Sequence, residues 1–222
     1  MNDKILMTAR SVSKFYKDGQ VKAVDDLSMQ IFSGEILIIR GPSGCGKSTL
    51  LHLLGGLDVP SGGIVFWGDK PIREVCRQRG FRVRQMGFVF QTFYLWQNLN
   101  VLENVMLPLM EIPLSTKEKL FMAKDIINEV GLADKTTASV KALSVGQRQR
   151  VAVARALVTK PSVIFADEPT GSLDSRNAEN VIQLLHKVNK QRGVTVVIVT
   201  HAQISKEYYD RQVQMLDGKM CE

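Results

Sequence analysis

Nine consecutive residues, GPSGCGKST at positions 41–49, limit what this chain can become more than its composition does. They fit the spacing G-x-x-x-x-G-K-S/T, in which a glycine-rich turn offers backbone N–H groups to phosphates, a lysine reaches the same anion and a hydroxyl holds magnesium. The surroundings are the ones this chemistry needs. The apolar run Ile36 to Ile39 reads as a buried central strand ending at Gly41, and Leu50, Leu51, Leu53 and Leu54 mark a largely buried helix that starts where the turn ends. Strand, loop and helix in that order aim the first-turn N–H groups and the positive helix end at one phosphate site. Lys47 is expected on the β- and γ-phosphates of a nucleotide, and Ser48 on the metal.

The rest of the chain alternates short β-rich runs with helical stretches, without an internal repeat or a Pro/Gly/Ser linker. LMTARSV, VDDLSMQIF, IVFWGD, QMGFVFQ, VIFADE and VTVVIVT read as strands; residues 117–130, with Leu120, Ala123, Ile126, Ile127 and Val130, and residues 177–189, with Val181, Leu184, Leu185 and Val188, read as helices. Such alternation predicts one continuous α/β domain with a mostly parallel sheet. With 222 residues, 45% hydrophobic and 23% charged, disorder and fibrous repetition are excluded. No apolar run reaches the ~18 to 20 residues of a membrane span, and the start, MNDKILMTARSV, lacks a secretory pattern, so the cytosol is expected. Cys45, Cys76 and Cys221 have no paired or zinc-like spacing. The net charge of +7 suits a solvated surface, and no specific nucleic acid is expected as a partner.

A second chemical feature ends the strand VIFA: Asp167 and Glu168. Adjacent acids at the carboxyl end of a strand point to opposite sides if strand geometry continues, so Asp167 can hold the magnesium shell while Glu168 orients and deprotonates water. The phosphate loop alone leaves GTPases, kinases, helicases and transport ATPases open. The nearest string to the guanine-reading N-K-x-D, Asn189–Lys190–Gln191–Arg192, lacks the aspartate, which counts against GTP.

Further strings occur in a fixed order around these two: GFVFQ ending at Gln91, LSVGQRQR from Leu143, GSLD ending at Asp174 and VTH ending at His201, with Tyr16 in VSKFYKDG. Over essentially its whole length the chain resembles the nucleotide-binding subunit of ABC (ATP-binding cassette) transporters. The resemblance implies a P-loop NTPase (RecA-like) core, about 1–91 and 160–222, with a mostly parallel sheet, an antiparallel β subdomain and an inserted helical subdomain at about 92–159. It implies ATP and Mg2+ as the bound species. Gly41, Pro42, Ser43, Gly44, Cys45, Gly46, Lys47, Ser48 and Thr49 would then surround the phosphates, and Tyr16 would stack on adenine. Ser48, Gln91 and Asp167 would hold the metal. Catalysis would rest on Glu168, His201, Lys47 and Gln91, with His201 at the γ-phosphate. Ser144, Gly146 and Gln147 resemble the LSGGQ signature, which with Asp174 of the D-loop meets the nucleotide of a second copy; an ATP-dependent head-to-tail homodimer follows. Ser144 also reads independently as the N-cap of a helix starting near Gly146.

Two positions depart from the family pattern. Val145 replaces a glycine of the signature, so either hydrolysis is slower or this segment uses an ordinary backbone conformation. Ala202 follows His201 where many relatives have an aspartate that could stabilise the turn. Cys45, beside Lys47 and a helix start, is expected to react with thiol reagents, inactivating the enzyme unless ATP protects it.

LLHLLGGLDVPSGG, LENVMLPL and FADEPTGSLDSRN resemble the branch of lipoprotein-releasing and macrolide-export ATPases. That branch implies integral membrane permease partners with four spans and a large extracytoplasmic domain, worked from the cytoplasmic face of the bacterial inner membrane. The aromatics of TFYLWQNLN would either receive a permease helix or fill the core, and the arginines 73, 77, 79, 82 and 84 would face lipid or solvent. Two other readings share the motifs: a regulatory or scaffolding ATPase on a permease-like protein, and a soluble ATPase of DNA repair or translation. The latter generally carries two cassettes or a long coiled coil, and neither occurs here.

Overall fold

The computed structural model describes residues 4–16 and 19–221. In chain order the strands are β1 (Ile5–Tyr16), β2 (Val21–Phe32), β3 (Ile36–Arg40), β4 (Gly62–Trp67), β5 (Lys70–Pro71), β6 (Met86–Phe90), β7 (Val163–Asp167), β8 (Thr195–Thr200), β9 (Arg211–Leu216) and β10 (Lys219–Cys221). The α-helices are α1 (Lys47–Leu54), α2 (Ile72–Arg77), α3 (Phe81–Gln85), α4 (Val101–Met106), α5 (Thr116–Glu129), α6 (Val145–Leu157) and α7 (Ser175–Arg192). None of these helices is long and apolar enough to cross a membrane.

Two sheets result. A six-stranded sheet has the order β10-β9-β3-β8-β7-β6, parallel from β9 through β6, with β10 antiparallel at the edge. A smaller antiparallel sheet has the order β2-β1-β4-β5. The apolar runs of β3, β7 and β8 are uninterrupted because both faces of the large sheet are covered. Side chains alternate between the faces. Ile36, Ile38, Ile164, Ala166, Val196 and Ile198 join a core with α4, α5, α6 and α7. Leu37, Ile39, Val163, Phe165, Val197 and Val199 join another core with α1 and with Met7, Val24 and Val65 of the antiparallel sheet.

The register places the chemistry. Arg40 lies beside Thr200 and Asp167 beside Val199. The loop after β3, the acids ending β7 and the histidine after β8 therefore emerge at one carboxyl edge of the parallel sheet, where ligands bind in open α/β sheets.

Helix α7 starts two residues before the expected 177 because Asp174 caps it, its Oδ1 accepting from the Asn177 amide at 2.9 Å. Of the expected face of α5, Ala123, Ile126 and Ile127 are buried, behind a capping box of Ser115 and Glu118. Helices α2, α3 and α4 have only six, five and six residues, too short to show helical periodicity. The β9–β10 hairpin also goes unannounced, since RQVQML buries only Met215 fully.

Candidate nucleotide site

The loop after β3 is shaped by glycines packed against backbone. At Gly46, φ is +100°, and a Cβ there would lie 1.8 Å from the carbonyl oxygen of Ala23 in β2. At Gly41 a Cβ would lie 2.1 Å from the carbonyl oxygen of Met215 in β9. No other residue fits either place. Around this framework Pro42, Ser43 and Gly44 are exposed, whereas Cys45 and Lys47 are buried. Cys45 is only 5% exposed and belongs to the core beneath the loop, so the thiol that the sequence presents as reactive is shielded by its own fold.

Lys47 folds back over the loop, its Nζ donating to the carbonyls of Gly41 at 2.9 Å and Pro42 at 2.8 Å. One residue on, the exposed Ser48 hydroxyl donates to Asp167 Oδ1 at 2.8 Å. Burial pushes the Asp167 carboxyl above its ordinary range, while the bond from Ser48 pulls it back down. Thr49 is half-buried near the hydroxyl of Tyr16.

Strand β7 stops at Asp167 because Glu168 turns into the left-handed region, φ 44°. For a residue with a Cβ this conformation costs roughly 1–2 kcal/mol, so surrounding bonds must impose it. They do: the Glu168 amide donates to the Val199 carbonyl at 2.9 Å, and its carbonyl accepts from Gly171 at 3.0 Å. The two acids separate as expected, through this twist and not through continued strand geometry. The Glu168 carboxylate accepts from the Thr200 hydroxyl at 3.0 Å and from the His201 amide at 3.1 Å, and meets His201 Nδ1 at 2.9 Å. An ionised Glu168 can only accept, so Nδ1 carries the proton in this contact. Lys47 Nζ lies 3.9 Å from Glu168 Oε1. Thr200 also accepts from the Ala202 amide at 3.0 Å, fixing the turn that an aspartate at 202 could have fixed. The exposed Gln91 has its amide over Gly171, where a Cβ would lie 2.9 Å from Nε2.

Tyr16 ends β1 with 38% of its surface exposed. Its hydroxyl donates to Asp58 Oδ2 at 2.8 Å, and Lys14 Nζ stands 5.0 Å from its ring centroid while donating to Asp58 Oδ1 at 2.7 Å. Burial, then the bond to Asp58, pushes the phenol above its ordinary value.

Ser144, Gly146, Gln147 and Asp174 form a separate group. Ser144 caps α6 in a reciprocal box, accepting from the Gln147 amide at 3.2 Å while Gln147 Oε1 accepts from the Ser144 amide at 2.9 Å. Gly146 packs on Asn177 so tightly that a Cβ would lie 2.5 Å from its Oδ1, and Asn177 is the residue Asp174 holds. Those bonds from Asn177 keep the Asp174 carboxyl below its usual range. Among the described residues no hydrogen bond joins this group to the phosphate loop. Val145 occupies the first turn of α6 without a positive φ, the ordinary backbone conformation that was one of the two expectations.

Of the aromatics after Gln91, Tyr94 and Trp96 are 64% and 65% exposed, whereas Phe93 packs against the core. Arg155 of α6 holds this segment, donating to the carbonyls of Tyr94 and Phe93, each at 2.6 Å. Arg73, Arg77, Arg79 and Arg84 are exposed, while Arg82 donates to the Gly56 carbonyl at 2.9 Å. Four residues of consequence were not singled out from the sequence: Asp58, Thr200, Gln149 and Arg155. Asp58 lies within a quoted string and Thr200 directly precedes His201, but neither carries a local mark of its partner.

The arrangement fits a nucleoside triphosphate with magnesium. A buried ammonium satisfied by loop carbonyls can exchange them for phosphate oxygens, and Gly44 opens onto free space at φ +80°. A hydroxyl and one carboxylate suit a hard cation that takes its remaining ligands from phosphates and water. Among the described residues no cluster of three or more His, Cys, Asp or Glu is placed to hold a metal.

Comparison with known proteins agrees. Residues 24–171 match the family described as "ABC transporter". The chain is 43% identical over 213 residues to the lipoprotein-releasing system ATP-binding protein LolD of Colwellia psychrerythraea, covering 94% of this chain and 83% of that protein. It is 40% identical over 224 residues to the uncharacterized ABC transporter ATP-binding protein MJ1508 of Methanocaldococcus jannaschii, covering 98% of each. Among solved structures, the dimeric post-hydrolysis state of the ATP-binding cassette MJ0796 bound to ADP and Pi superposes with a TM-score of 0.84 at 37% identity, over 96% of both chains. The phosphate loop, the paired acids and these likenesses lead to one conclusion: the chain belongs to the ABC transporter family, as an ATP-binding and ATP-hydrolysing cassette.

Proposed function

We propose that two copies of this cassette close head to tail on two ATP molecules, hydrolyse them, and pass the motion to an integral membrane permease. The observation that carries the reading is the convergence of Lys47, Ser48 with Asp167, and Glu168 with His201 on one sheet edge. Lys47 leaves the carbonyls of Gly41 and Pro42 for the β- and γ-phosphates, while the backbone of residues 41–49 surrounds them and Tyr16 stacks on adenine. Ser48, Asp167 and Gln91 would hold Mg2+, which when bound would offset charge developing on the phosphate oxygens. Glu168 orients the attacking water and takes its proton, and His201 fixes the carboxylate and meets the γ-phosphate. Water adds to the γ-phosphorus as the bond to the leaving oxygen breaks, giving ADP and phosphate. Ser144, Gly146 and Gln147, with Asp174, face the nucleotide of the other copy, which explains why they stand apart from this copy's loop. The division into a core at about 1–91 and 160–222 and a helical part at about 92–159 follows the same reading.

For the partner, the likeness to a lipoprotein-releasing ATP-binding protein favours a four-span permease with a large extracytoplasmic domain. The cassette would work from the cytoplasmic face of the bacterial inner membrane, on lipoprotein release or on macrolide or peptide export. An apolar groove of about 300 Å3 lined by Leu57, Val83, Phe88, Phe90 and Pro108, flanked by Arg155, suits a short permease helix.

The test is light scattering on Glu168→Gln with and without Mg-ATP, beside the parent's ATPase rate against protein concentration. An ATP-dependent dimer of the variant, a rate lowered by ~10² to 10⁴ and a parental rate rising faster than linearly are expected. A variant that hydrolyses at the parental rate overturns Glu168 as the base. A monomer under all conditions, with linear kinetics, overturns the two-site closure.

A further inference from the structure

Gln149 lies on α6 and is completely buried. Its Nε2 donates to the carbonyl of Pro169 at 2.7 Å, and its Oε1 has no partner. Because a carbonyl only accepts, the bond fixes which way the amide faces. An apolar side chain of similar size would avoid the orphaned Oε1 but would leave the buried Pro169 carbonyl without its donor, so the amide stands here for the sake of that one bond. Its partner explains its presence. Pro169 follows Glu168, whose left-handed backbone is held on one side by the Val199 carbonyl and on the other by the Gly171 amide. Gln149 is the side-chain tie from α6 to that segment.

One turn earlier on the same helix, Gly146 packs against Asn177 and Ser144 caps the helix. Helix α6 thus carries the signature at its end and grips the residue beside the catalytic base from its first two turns. A shift of the signature end moves the Gln149 amide with it, because a helix transmits displacement as a rigid element.

We propose that Gln149 is a positioning residue. It sets the place of Glu168 according to whether this copy's signature has engaged the nucleotide of the other copy, so that each site hydrolyses only when both are closed. The inference rests on the two-site reading above.

The experiment compares Gln149→Leu and Gln149→Glu with the parent in ATPase assays, and repeats Gln149→Leu in the Glu168→Gln background for ATP-dependent dimerisation. Gln149→Leu should dimerise on ATP with parental affinity, keep KM, lose about tenfold in kcat, the order expected for one hydrogen bond expressed in the barrier, and show a Hill coefficient falling from near 2 towards 1. Gln149→Glu cannot donate when ionised but can when protonated, so its kcat relative to the parent at the same pH should recover as pH falls. A parental kcat and Hill coefficient in Gln149→Leu overturns the inference, as does loss of its ATP binding or dimerisation. A flat pH ratio for Gln149→Glu overturns it too. If Glu168→Gln with Gln149 intact stays monomeric, the two-site reading itself has failed.

Discussion

Asp58 accepts hydrogen bonds from Lys14, from the Tyr16 hydroxyl and from the Val59 amide. Burial acts to raise its carboxyl, but the bonds from Lys14, Tyr16 and Val59 outweigh it and hold the group below the ordinary aspartate value. A lowered folded-state value stabilises the ionised form. Its contribution is fully present above the unfolded-state value and is lost as pH falls through the folded-state one. Asp58→Asn should therefore melt below the parent at neutral pH, with the gap closing as pH falls from about 5 to about 3. If Tyr16 is the adenine platform, Asp58→Asn should also raise KM for ATP without changing kcat, and Tyr16→Phe should do the same without adding to it. Additive effects on KM would show that Asp58 acts by another route. Cys45 supplies a second prediction. At 5% exposure it should be alkylated much more slowly than the exposed Cys221, and ATPase activity should survive labelling of Cys221, as peptide mapping beside the assay would show. Lys47 and Ser48 were legible in the sequence as candidates because the loop's spacing is itself the signal, and Asp167 and Glu168 because two acids directly end an apolar strand. Asp58 with Tyr16, Thr200 with Glu168 and Gln149 with Pro169 were not, because their partners lie 42, 32 and 20 residues away.

Among the elements, α5 and α6 begin with the same reciprocal cap, Ser115 with Glu118 and Ser144 with Gln147. Removing a serine cap costs about 1 kcal/mol, so Ser115→Ala and Ser144→Ala should lower thermal stability alike. They should part in function. On the proposed two-site closure Ser144→Ala removes a group that would face the other copy's nucleotide, and it should weaken the ATP-dependent dimer in the Glu168→Gln background, which Ser115→Ala should leave intact. Equal dimerisation of the two variants would remove Ser144 from the nucleotide contact. Elements with long periodic patterns, such as α5, α7 and the buried strands β3, β7 and β8, are readable from sequence because burial writes itself into residue type. Helices α2, α3 and α4 complete at most two turns each, and β9 and β10 are half-exposed, so neither period nor apolarity betrays them.

Across the whole molecule, the large sheet joins two cores, one carrying the nucleotide loop through α1 and the other carrying the signature through α6. Neither layer can shift without disturbing strands that feed both. The phosphate loop is seated from beyond its own segment as well, since the β9–β10 turn places the Gly218 amide 3.0 Å from the Cys45 carbonyl, and Gly218 in turn accepts from Asp25. An amide whose acceptor belongs to the phosphate loop can exchange its proton with solvent only when that loop loosens or the hairpin lifts. Deuterium uptake at Gly218, read with and without Mg-ATP, should slow on nucleotide binding while the exposed ends of α2 do not change. The grip on a nucleotide near the start of the chain thereby acquires a clock that runs more than 170 residues downstream.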